Sequence, residues 1–103
     1  MSLDLVITDK NKHPTNTVSV DVETHMTLVE KAKKLDMVLL LRLNDYYKDT
    51  KFDSDEIGML SIEIEKLIVS FTDDKEVLGV LMLIRELCKQ AKKKHEPIIV
   101  IAD

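Results

Sequence analysis

A chain of 103 residues is long enough for one domain with a real core and too short to divide comfortably into two. With 45% hydrophobic and 33% charged residues it is neither a disordered chain nor a membrane protein, and its longest apolar run, Met37 to Leu41, is far short of a bilayer span. The net charge of −4 is concentrated in residues 45–76, where ten acids face four lysines; that imbalance repels phosphates, draws basic partners and argues against nucleic acid as a direct ligand.

The N-terminus, MSLDLVITDK, opens directly on an alternating pattern without the basic and apolar regions of a secretory signal, so a cytoplasmic protein is expected. A single cysteine, Cys88, excludes an internal disulfide framework. Residues 1–103 are therefore read as one domain.

Leu3, Leu5 and Ile7 alternate with Asp4, Val6 and Thr8, and Val18, Val20 and Val22 alternate with Ser19, Asp21 and Glu23. These are two half-buried strands, joined through the turn formers of residues 9–16 into a hairpin with a longer loop. Thr27 and Glu30 have capping-box spacing, and Leu28, Ala32, Leu35, Leu39, Leu43 and Tyr46 continue at helical intervals. No Gly or Pro interrupts residues 28–47, so one long helix and two shorter ones are both compatible with the pattern; two, jointed near Leu35–Met37, are preferred.

Asp53 and Glu56 form the next capping box, ahead of Ile57, Leu60, Ile64, Leu67 and Phe71, which stack along one helical face. Glu63, Glu65 and Lys66 fall off that face. Asp73 and Glu76 repeat the box, and a last helix runs through Val77, Leu81, Ile84, Leu87, Cys88 and Ala91 to the lysines 92–94, cations well placed at a helix C-terminus. Pro97 forbids further helix, and Ile98–Ile101 reads as a strand buried on both faces, central in the sheet or covered by a partner. The expected fold is α+β: a small three-stranded sheet, made of the N-terminal hairpin and the C-terminal strand, with three to four helices packed on one face.

Chemistry is sparse. The glycines, Gly58 and Gly79, lie within helical patterns, which excludes phosphate loops and dinucleotide fingerprints and suggests close helix packing instead. His13, His25 and His95 have no metal-site spacing; His25 and His95 stand beside helix ends, where imidazoles serve as caps. Cys88 shares an apolar face with Ile84 and Ala91 and reads as a buried, inert thiol. No catalytic residue, cofactor site or metal site is assigned.

A binding surface fits better. Asp45-Tyr46-Tyr47-Lys48-Asp49 sets aromatic rings among carboxylates, a combination suited to an interface, and negative charge near a helix C-terminus leaves Asp45 and Asp49 without a local folding role. Adjacent tyrosines on a helix diverge by about 100°, so one of the pair should be at least partly exposed. Asp53 and Asp55 extend the acidic surface, although both already suit the start of the following helix.

The stretches LDLVITD, LLRLNDYYKDTKFDSDEIGMLSIEIEKL and IIVIAD resemble small bacterial immunity proteins of polymorphic-toxin or contact-dependent inhibition systems. The resemblance implies a cytoplasmic protein that binds one cognate toxin and blocks its active site or substrate groove, with no enzymatic activity of its own. Asp45, Tyr46, Tyr47, Asp49, Asp53 and Asp55 would form that contact, and a basic toxin domain is the partner such carboxylates suit. Two other readings stand beside it: a self-associating structural or adaptor protein whose apolar C-terminal strand is covered in a homodimer, and, third, a small-molecule or metal-dependent enzyme.

Overall fold

The computed structural model describes residues 3–44 and 49–102. Strands β1 (Leu3–Thr8) and β2 (Pro14–Val20) form the expected antiparallel hairpin, with Leu3 opposite Val20 and Leu5 opposite Val18. Its loop closes on Asp9, whose carboxylate accepts the amides of Asn11 at 2.8 Å and His13 at 2.9 Å. Pro14, with no amide to donate, opens the edge strand, where none is needed.

β2 ends at Val20, so Val22 and Glu23, read as strand, belong instead to helix α1 (Val22–Lys34). Its cap is Asp21, which accepts the Thr24 amide at 2.8 Å; Thr27, expected at the helix start, lies inside it and turns its hydroxyl back to the Glu23 carbonyl. The capping bond lowers the Asp21 carboxyl from its ordinary range. His25 is correspondingly not a cap but a buried member of the helix, its Nε2 donating to the carbonyl of Leu43.

Asp36 ends α1 in the left-handed conformation (φ 53°), and the Met37 amide returns to the Ala32 carbonyl at 2.9 Å, closing a Schellman turn without glycine. Beyond it the helical spacing of Leu39 and Leu43 is realised as a single 3-10 turn, Leu40–Leu43, which buries Leu40 and Leu43. The preferred break near Leu35–Met37 is thus present, but the second segment is one short turn.

A strand absent from the sequence reading follows: β3 (Thr50–Phe52). Helices α2 (Ile57–Ser70) and α3 (Lys75–Lys94) then pack side by side, and β4 (Ile98–Ala102) completes an α+β fold. The sheet has four strands in the order β2-β1-β4-β3, all antiparallel, which corrects the expected three. α3 is capped by Asp74, accepting from Val77 N at 3.2 Å, and ends on left-handed His95.

Leu3, Leu5, Ile7, Val18, Val20, Phe52, Ile98 and Val100 project from the sheet into one core with Leu28, Ile57, Leu60, Ile64, Leu67, Leu81, Ile84, Leu87 and Cys88 from the helices. Burial raises the Cys88 thiol to about 12, which suits the inert role expected of it. β4 is central, but only Ile98 and Val100 are fully buried; on its other face Ile99 is half-buried beside Val6 and Lys51, and Ile101 is 40% exposed. The glycines do not serve close packing: a Cβ on Gly58 or Gly79 would meet no atom within 4 Å.

Candidate functional site

α2 is apolar on more than the side that faces the core. Ile57, Leu60, Ile64 and Leu67 are buried, yet Met59, Ile62 and Val69 on the opposite side are 59%, 57% and 75% exposed. The core does not need apolar side chains on the solvent side of a helix, so this outer stripe departs from what the fold itself requires.

Glu63 explains why this surface holds its shape. Flanked in sequence by Ile62 and Ile64, it is buried rather than off the core face, and its carboxylate accepts the Leu39 amide at 3.2 Å and the Leu40 amide at 2.9 Å. Those amides begin the 3-10 turn and have no partner within it, so one side chain fixes the 35–40 segment against α2. The result is a groove of about 370 Å³ lined by Leu35, Met37, Met59, Ile62 and Lys66, with Asp36 and Glu63 completing its wall. On the other side of the Met59–Ile62 ridge a second groove of about 450 Å³ separates α2 from α3, bordered by Glu65, Lys89 and Lys92.

The N-terminal end of α2 carries the acidic residues of interest. Glu56 accepts the Asp53 amide at 3.0 Å, the half of the expected capping box that the structure contains, and both its oxygens receive the Arg42 guanidinium, one at 2.9 Å. Arg42 then the Asp53 amide pull the Glu56 carboxyl down to about 2. Arg42 also donates to the Lys51 carbonyl at 3.3 Å and lies over the Phe52 ring at 5.7 Å, so it ties the 3-10 turn to β3 and to the start of α2.

Of the residues proposed for partner contact, Asp45, Tyr46 and Tyr47 lie outside the described residues. Asp49 has the folding role the sequence did not reveal: its Oδ1 accepts the Ala102 amide at 2.8 Å, tying the end of β4 to the approach to β3. Asp53 is exposed and 3.3 Å from Lys51 Nζ, so its charge is partly answered within the chain. Asp55 is exposed and makes no ion pair among the described residues. Asp53 and Asp55 thus lie just ahead of the N-terminal end of α2, whereas Asp49 is tied to the sheet.

Sequence reasoning missed the apolar face itself. The signal was present in Met59, Ile62, Lys66 and Val69, spaced three, four and three, a second stripe beside the one assigned to the core. Among the described residues no group of three His, Cys, Asp or Glu side chains could hold a metal ion, and no described helix is long and apolar enough to cross a membrane. A scan of family models matches none to this chain, and no curated protein or solved structure matches it.

Proposed function

We propose that this chain is a non-catalytic binding protein whose docking surface is the outer face of α2, with the carboxylates at its N-terminal end as the charged margin. The observation that carries the reading is the exposure of Met59, Ile62 and Val69 on a helix whose opposite side is already in the core. Apolar side chains grouped at the centre and charged ones at the margin are the usual composition of a protein interface.

The resemblance to bacterial immunity proteins gives the partner its class: a cognate toxin domain met in the cytoplasm, held by the apolar face and oriented by its own basic residues against Asp53 and Asp55. The charge bias of residues 45–76 supports a basic partner, since complementary fields raise the association rate and disfavour nucleic acid.

The experiment is a pull-down from the native host with tagged wild type and tagged Ile62→Asp, followed by mass identification. Ile62 is exposed, so the substitution leaves the core untouched. The reading expects a stoichiometric protein retained by the wild type and lost from the variant. Equal retention by both would remove α2 from the interface, and a nuclease or other toxin among the retained proteins would support the immunity assignment.

A further inference from the structure

Neither backbone nor packing requires a glycine at position 58. Its φ is not positive, a Cβ there would meet no atom within 4 Å, and glycine is a poor helix former at an exposed site that alanine would suit better. What Gly58 leaves is space. With Ser61, one turn further on, it forms the small-residue side of the groove of about 450 Å³ between α2 and α3, whose apolar surface comes from Ile57 and Ile62.

The polar side chains lining this space are donors without acceptors. Lys89 and Lys92, one turn apart on α3, are exposed and make no ion pair among the described residues, and the Ser61 hydroxyl has no hydrogen-bond partner among them. The acid on the rim, Glu65, is already held by Arg85 at 3.4 Å. Lys92 suits the last turn of α3, where the helix dipole favours a cation, but Lys89 lies before that turn and has no such local reason.

We propose that this groove binds a small organic anion with an apolar body, as an aliphatic carboxylate has. The body lies against Ile57, Gly58 and Ile62, and the head accepts hydrogen bonds from Ser61, Lys89 and Lys92. The volume falls within the roughly 300–1,000 Å³ of small-molecule sites, and an apolar surface with a few convergent polar groups is their usual lining. Ammonium groups act as point charges, so carboxylate and phosphate heads are both accepted, whereas a bare anion forfeits the apolar contact and a cationic amphiphile meets two lysines. The groove is open and the ligand small, which sets a dissociation constant on the order of 1 mM for a simple fatty acid. The inference stands apart from the docking face of α2 and would survive its loss.

The test is a titration of the full chain with sodium decanoate up to about 10 mM, followed by amide chemical shifts. Saturable shifts are expected at Gly58, Ser61, Lys89 and Lys92, with β2 unmoved. Gly58→Leu sets a side chain in the groove at a position where a Cβ meets no atom, and should abolish saturation. Lys89→Gln combined with Lys92→Gln should weaken decanoate at least about tenfold, and arginine at both positions should restore it. Decyltrimethylammonium and inorganic phosphate should each bind at least about tenfold more weakly than decanoate. Far-UV circular dichroism checks folding, and the lysine variants decide the point if Gly58→Leu does not fold. Decanoate shifts that do not saturate or that fall elsewhere, or a folded Gly58→Leu that binds as wild type does, would overturn the site. Equal binding of the glutamine variant or of the cationic amphiphile would overturn the anionic head, and equal binding of phosphate alone the apolar body. Sedimentation with phosphatidylglycerol vesicles by a chain that leaves free decanoate unbound would overturn a free ligand in favour of a lipid surface.

Discussion

The Glu63 carboxylate accepts the Leu40 amide at 2.9 Å, with the Leu39 amide at 3.2 Å on its other oxygen, and that pairing joins α2 to the turn that follows α1. A buried carboxylate shared by two main-chain donors is acceptable because both its oxygens are occupied. Removing it strands two amides. Glu63→Ala should destabilise the fold by about 2–4 kcal/mol in urea unfolding, and Glu63→Gln, which can still accept one amide, by less.

The start of α1 gives a sharper contrast. Asp21→Ala removes the side chain that accepts the Thr24 amide and should cost about 1 kcal/mol, whereas Thr27→Ala, one turn inside the helix, should change stability by less than about 0.5 kcal/mol. Melting temperatures of the two variants decide which residue is the cap.

Asp36 combines two unfavourable features: a left-handed backbone without glycine and a negative charge just past the C-terminal end of α1. Asp36→Gly relieves both. It should stabilise the protein by about 0.5–1.5 kcal/mol in the same unfolding assay, and an unchanged midpoint would show that the turn bears no strain.

How far the fold could be read from sequence follows from these particulars. The hairpin, α2 and α3 were legible because alternation and a 3.6-residue repeat report directly on burial; Ile98–Ile101, read as buried on both faces and so central or covered by a partner, is an inner strand but has one face half-open at Ile99 and Ile101. No glycine marks the end of α1 or α3, because Asp36 and His95 make those turns, yet the joint expected near Leu35–Met37 falls there; it was the start of α1 that was missed, since Asp21 and not Thr27 is its cap. β3 is short and edge-lying: Thr50, Lys51 and Phe52 are too few to alternate, and only Phe52 is fully buried. Of the site, Asp53 and Asp55 were read as exposed acids and are so, whereas Asp49 could be assigned only when the fold brought it to Ala102, far along the chain. Glu63 looked like a surface residue because its partners, too, are distant in sequence.

The Arg42–Glu56 pair makes stability depend on pH. The Glu56 carboxyl is depressed from its ordinary 4.5 to about 2, so its contribution is fully present above the ordinary value and is lost as pH falls from there through the depressed one. The advantage of wild type over Glu56→Gln should hold at neutral pH and shrink between roughly pH 4.5 and 2, read from urea midpoints at a series of pH values. A difference unchanged across that window would mean that Arg42 does not hold Glu56 in solution.

The account rests most heavily on the outer face of α2 being a docking surface. The direct measurement is the stoichiometry of the host protein retained by tagged wild type and by a tagged Met59→Asp, Ile62→Asp double variant, both positions being exposed. The account predicts a protein held by wild type in stoichiometric amount and lost from the variant, while equal retention by both would contradict docking through α2.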